Sequence, residues 1–173
     1  MAEVTIGKKE EIAMSMVKHY NHRKYWKIRE RLLNNSYNKL WAYVMLLYIK
    51  RCDAFNGASM GTHIGFGAQF GSVPELPHGL SGIFISHNAK IGKNARIYHQ
   101  VTIGEGNGGA PIIGDNCLIG AGAKVIGPIV IGDNVKIGAN CIVCEDIPDG
   151  ATVVMEKPRI IVRGKNKDRK SVV

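Results

Sequence analysis

His78 and His99 lie 21 residues apart, and three of those residues are an insertion into a six-residue rhythm, so the effective separation is 18. Three segments of six residues make one turn of a three-sided coil, and positions one coil apart stack at about 4.8 Å, the spacing of neighbouring strands. Both imidazoles therefore fall on one corner of successive coils, in the third place of their hexads. The same place in the next two coils holds Ala121 and Ala139. A ring with an unperturbed pKa of about 6.5 is the natural general base for a hydroxyl near neutral pH. Methyl-sized residues above it leave a shallow channel for an extended ligand. The competing reading is a pair of exposed turn histidines with no role.

Other reactive residues are less pointed. His87 also takes a third place, but on another corner, and reads as surface; His19 and His22 belong to a helical stretch. Cys141 and Cys144 form a single C-x-x-C without a second pair, a weak signal for redox or metal chemistry. Cys117 and Cys141 occupy interior places, where a thiol acts as a small hydrophobe. The loop Gly106-Asn107-Gly108-Gly109 has the composition of a phosphate cradle, although flexibility explains it equally well. Zinc is not expected, because His63, His78, His87 and His99 include no close His-x-x-x-x-His pair that would set two imidazoles on one metal.

The element that must position the histidine column is a repeat. An aliphatic side chain returns at Ile85, Ile91, Ile97 and Ile103, and again at Ile113, Ile119, Val125, Ile131, Ile137 and Val143, usually with glycine behind it. Four residues after each comes a small or apolar partner, among them Ala89, Ala95, Val101, Cys117, Ala123, Val135 and Cys141. No helix has a six-residue period, and a flat strand alternates every two. The pattern predicts a mainly β fold, a left-handed parallel β-helix with three faces, in which the aliphatics fill the interior and glycine eases the turns. Nine residues separate Leu76 from Ile85 and ten separate Ile103 from Ile113, so loops are inserted at both places.

Upstream, residues 8 to 52 read as helical. A stripe of Tyr37, Leu40, Trp41, Val44, Leu47 and Tyr48 at i, i+3, i+4 spacing is expected to pack on something, and a helix over roughly 8 to 33 is expected to hairpin onto it. Such a region suits a cap over the open end of a solenoid; a helix lying on a membrane surface is the alternative reading. The expected division is a helical cap over 1–55, a repeat domain over 56–155 and a strand with a basic tail over 156–173, the strand running from Val153 to Val162.

The charge balance is 23 basic to 14 acidic side chains, a formal +9, with six of the bases in residues 159–170. A basic tail without an aromatic platform does not point to nucleic acid; attraction to an anionic ligand or polymer fits better. The polar first residues do not resemble a signal peptide, and the apolar run from Trp41 to Ile49 is too short to span a bilayer. A cytoplasmic protein without stable membrane contact is the expectation.

Residues 60 to 162, about 60% of the chain, resemble the hexapeptide-repeat acyltransferases, in the branch of serine acetyltransferases and capsular-polysaccharide O-acetyltransferases. The strings that carry the resemblance are Leu76-Pro77-His78-Gly79, Ile97-Tyr98-His99-Gln100-Val101-Thr102-Ile103-Gly104 and Ile119-Gly120-Ala121-Gly122-Ala123-Lys124-Val125-Ile126-Gly127. Leu118 also fits, since the sugar and antibiotic members usually carry tryptophan there. The resemblance implies acetyl transfer from acetyl-CoA to a hydroxyl, in a homotrimer with sites between subunits. His78 matches the catalytic base, and Gly104, Ala121, Lys136 and Ala139 match positions lining the coenzyme A channel. His99, His63 and Glu75 are further candidates on the acceptor side.

Departures from the serine enzymes shape the expected acceptor. Pro77 stands where that family has an aspartate, and Gly109 and Ala110 stand where an Arg-His pair reaches the acceptor's carboxylate. The aspartate that orients the base falls on His63 by spacing, which leaves Glu75 or Asp53 as replacements, or none. A site lacking partners for an ammonium and a carboxylate is poorly suited to free serine. A saccharide hydroxyl is therefore the expected acceptor, with serine as the alternative and a non-catalytic β-helix scaffold as the second alternative.

Overall fold

The computed structural model describes residue 13, residues 15–34 and residues 37–161. Each hexad folds as a strand of two or three residues whose second residue points inward. These are β1 (Gln69–Phe70), β2 (Phe84–Ile85), β3 (Lys90–Ile91), β4 (Arg96–Ile97), β5 (Thr102–Gly104), β6 (Ile112–Ile113), β7 (Leu118–Ile119), β8 (Lys124–Ile126), β9 (Val130–Ile131), β10 (Lys136–Ile137), β11 (Ile142–Val143) and β12 (Thr152–Val153). Successive strands belong to different sheets, so the chain winds. Face one stacks β1-β3-β6-β9, face two β4-β7-β10-β12 and face three β2-β5-β8-β11. Every ladder is parallel, as a solenoid requires.

The interior follows the repeat. Ile97, Ile103 and Ile119 are fully buried, Ile131 and Ile137 are 1% exposed, and Ala89, Val101, Cys117, Ala123 and Val135 fill the spaces at the corners. Burying each such isoleucine contributes about 1.5–3 kcal/mol. The register Ile97↔Ile119↔Ile137 then sets what stacks at every corner downstream of face two.

The glycines that follow the aliphatics do a different task from the one expected. Left-handed turn backbone is carried instead by Asn94, Gln100, Asn116, Asn134 and Asn140, with φ between 56° and 59°. Asparagine tolerates that region because its short polar side chain bonds locally. Gly114 and Gly120 are there for close approach: a Cβ on Gly120 would lie 2.7 Å from the Ala139 nitrogen, and one on Gly114 would lie 2.8 Å from the Gly132 carbonyl carbon.

Two helices can be traced whole among the described residues before the coils, α1 (His22–Leu33) and α2 (Lys39–Phe55). The expected upstream helix is interrupted: residues 15–17 are helical, His19 turns into positive φ (48°), and Asn21 caps a fresh start, its side chain accepting from the Lys24 N–H at 2.9 Å. The part of that expectation on residues 8–12 and 14 lies outside the described residues. Tyr25 and Asp53 join the helices through a 2.7 Å hydrogen bond in the interior. Arg29 ties α1 to the first, irregular coil, donating to Thr62 Oγ1 at 2.9 Å and to the Ala68 carbonyl at 2.5 Å, with its guanidinium over the Phe70 ring. Burial pulls that guanidinium down to about 10, which still leaves it charged at neutral pH.

Two expectations are overturned. The stripe on α2 does not pack inward: Leu40, Trp41, Val44 and Leu47 are exposed, whereas Ala42, Ile49, Cys52 and Asp53 are the buried positions. Periodicity finds a face but not its direction. The strand expected over 153–162 reduces to Thr152–Val153, whose partner β10 spans only Lys136 and Ile137; 154–161 has no regular structure, and residue 162 lies outside the described residues.

Candidate active site

The corner between faces two and three carries the histidine column. The bridge Glu75↔Arg96 extends the face-two register downward, so counting three residues on from each places His78 beneath His99. The rings meet edge to face with centroids 4.8 Å apart and planes at 85°. Backbone bonds lock the stack: the Gln100 N–H donates to the Ser81 carbonyl (2.9 Å), the Gly122 N–H to His99 (3.0 Å) and the Asn140 N–H to Ala121 (2.8 Å). His78, His99, Ala121 and Ala139 therefore share one edge of the prism.

His78 sits in the inserted turn between Leu76 and Ile83. Fully buried Leu80 anchors that turn, and it is closed by Gly79 N–H to the Leu76 carbonyl (3.0 Å) and Ile83 N–H to the Leu80 carbonyl (3.0 Å). Gly79 takes φ +67°, which lets the chain reverse directly after the histidine, and its position faces Tyr20 of the helical region. The imidazole is exposed on a turn held from beneath. His99 is half-buried, and its Nδ1 is enclosed without a hydrogen-bond partner.

No carboxylate candidate reaches the His78 ring. Glu75 accepts from Arg96 Nε at 2.7 Å on the exposed surface of face two. Asp53 is occupied by Tyr25 in the helical region, and burial pushes its carboxyl upward. His63 lies on the next corner, stacked on Phe66 at 4.7 Å and edge-on to His87 at 5.6 Å. Burial foremost, then Lys50 and His87, lowers its pKa.

The four positions expected to line a coenzyme A channel divide between elements. Ala121 is half-buried and Ala139 exposed, both on the His78 edge, so the corner above the imidazoles is free of bulk. Lys136 opens β10 on face two with its side chain exposed. Gly104 closes β5 at the far side of face three, next to the inserted loop. There Glu105 accepts from Ser86 Oγ and from Asn88 Nδ2 (2.7 Å), with His87 4.0 Å away, and these bonds hold its carboxyl below the usual glutamate value.

Two neighbours of the column escaped the sequence reading. Tyr98 stands 5.9 Å from His78, ring to ring; the same 21-residue offset would have found it above Pro77. Lys124 Nζ donates to the Gln100 carbonyl at 2.9 Å, placing a cation beside the corner. No spacing signals that contact.

Comparison with known proteins narrows the chemistry. Residues 110–145 match the bacterial transferase hexapeptide family (six repeats). The chain is 39% identical over 119 residues to the serine acetyltransferase of Mycobacterium tuberculosis, an alignment covering 66% of this chain and 52% of that protein. Among solved structures it is similar to the Neisseria gonorrhoeae serine acetyltransferase in complex with serine (34% identity, TM-score 0.55, covering 82% of this chain and 53% of that one). It is similar as well to a serine acetyltransferase in complex with CoA (25% identity, TM-score 0.62, covering 78% and 53%). The chain thus spans about half the length of these relatives.

These likenesses overturn the saccharide acceptor. It rested on Pro77, Gly109 and Ala110 replacing charged groups, yet the relatives matched are serine enzymes. Losing charge at three positions does not strip the site's surroundings of charge: Glu75, Arg96 and Lys124 stand beside the same edge.

Proposed function

The chain belongs to the hexapeptide-repeat transferases, and from that premise we propose that it is an acetyl-CoA-dependent serine O-acetyltransferase with His78 as its general base. The observation that carries this reading is the edge itself, an exposed imidazole on an anchored turn below a run of small side chains. In this reading residues 56–155 are the transferase unit and residues 1–55 its cap.

His78 removes the proton from the serine hydroxyl as the oxygen attacks the thioester carbonyl. The carbon–sulfur bond then breaks, and the same imidazole returns the proton to the departing thiolate. Backbone N–H groups of the glycine turns steady the oxyanion. His99 supports the base from above. The exposed Glu75–Arg96 pair, adjacent to the His78 turn, offers an anion and a cation to the ammonium and carboxylate of a zwitterion. Coenzyme A fits along Ala121 and Ala139, with Lys136 supplying charge for its phosphates. Holding both substrates in line supplies much of the remaining acceleration.

One chain does not gather all these residues. Gly104 and His63 occupy the edge between faces three and one, whereas the column occupies the edge between faces two and three. A homotrimer brings one such edge of each subunit against the other edge of its neighbour, so the proposed sites lie between subunits. Incubation of the purified protein with acetyl-CoA and L-serine, followed by thiol release, tests the activity. Serine-dependent release is expected; release indifferent to serine would reject the acceptor.

A further inference from the structure

We propose that the outward face of α2 docks on the surface of an anionic phospholipid bilayer. Leu40, Tyr43, Val44 and Leu47 succeed one another at i, i+3, i+4 and i+7, and all four are exposed; Trp41 beside them is 60% exposed. The buried positions of α2 are on its opposite side. Soluble proteins rarely leave a contiguous apolar face exposed over about two helical turns, and such a face marks a contact. Between the helices the face continues into a groove of about 450 Å³, with Trp41, Val44, Met45 and Tyr48 along it and Lys24 and Arg31 at its rim. Lys24 Nζ stands 4.9 Å from the Tyr48 ring centroid.

Charge selects the occupant. On the two helices Arg23, Lys24, Lys27, Arg31, Lys39 and Arg51 are exposed, and Glu30 is the one exposed acid among their described residues. Two copies meeting through this face would bring like charges together, whereas a bilayer bearing anionic headgroups pairs with them while its acyl region takes up the apolar side chains. Trp41 and Tyr43 are the amphipathic aromatic types that settle at that boundary. No helix among the described residues is long and apolar enough to cross a membrane, so the attachment is lateral. The expectation of no stable membrane contact rested on an apolar run, Trp41 to Ile49, too short to span a bilayer, which does not bear on attachment along the surface.

Sedimentation of the full chain with vesicles of phosphatidylcholine, with and without phosphatidylglycerol, tests the proposal. Binding only to the anionic vesicles is expected, weakened by salt and accompanied by a blue shift of Trp41 emission against buried Trp26. Leu47→Ser should cut vesicle affinity about tenfold, and Lys24→Glu about fivefold or more, with secondary structure and serine-dependent thiol release unchanged. Equal binding to both vesicle types, or none, would overturn it. So would a solution mass that halves in Leu47→Ser without lipid present, which would make the face a contact between copies.

Discussion

At the corner between faces one and two, each coil reaches down to the one beneath. Asp115 accepts the Lys93 N–H at 2.6 Å, Asp133 the Asp115 N–H at 2.6 Å and Asp149 the Asp133 N–H at 2.8 Å, while Asn94 donates its side-chain amide to Asn116 at 3.1 Å. The corner between faces two and three rests on the same backbone geometry but carries no such ladder. Its polar side chains meet through ring faces, His99 keeps a buried nitrogen without a partner, and the next two coils offer only methyl groups. A buried polar group left unpaired costs stability. One corner therefore spends its hydrogen-bonding capacity on the fold, and the other holds it in reserve. The contrast makes a chemical role for the second corner more economical than an accident of turn composition.

The largest expected effect separates the two corners by activity. His78→Ala should lower the rate of serine acetylation by roughly 10² to 10⁴ with an unchanged melting temperature, since the ring is exposed and unbonded; normal turnover would remove His78 from the mechanism. Next comes the channel. Ala139→Phe fills the free corner, and the KM for acetyl-CoA should rise about tenfold with kcat less affected. An unchanged KM would move the coenzyme elsewhere.

The column was legible because a six-residue period converts sequence distance into height, and subtracting an insertion is enough to bring His78 under His99. The same arithmetic reached the interior side chains, where the only requirement is being apolar. It failed where direction or contact decides. The α2 stripe has the spacing of a buried face, but its orientation depends on where Tyr25 and Asp53 lock the helices together. Hexad glycines read as turn residues, yet the clash a Cβ would meet belongs to the coil above, invisible along the chain. The acceptor was misread from three replaced positions, because the nearby ions Arg96 and Lys124 come from strands whose outward residues follow no rule.

A smaller effect tests the ladder corner for stability. Asp133→Ala deletes one rung, leaving the Asp115 N–H without its partner, and should cost about 1–2 kcal/mol. Thermal melting measures it, and activity per folded molecule should hold. If instead serine acetylation collapsed while the melting temperature stayed put, the division of labour between the corners would be wrong.

The smallest expected effect concerns the third corner, where Glu105 holds the inserted loop through Ser86 and Asn88. Those hydrogen bonds, foremost that from Ser86, lower its pKa below the ordinary 4.5. Because the folded state prefers the carboxylate, the stabilisation is fully present above 4.5 and is lost as pH falls through the lower folded-state value. Melting temperature followed against pH should therefore decline in that acidic window, and Glu105→Gln should flatten the decline while leaving neutral-pH stability slightly reduced. If Glu105→Gln melts in parallel with the parent protein at every pH, the network is incidental, and this corner belongs with neither the ladder nor the histidine column.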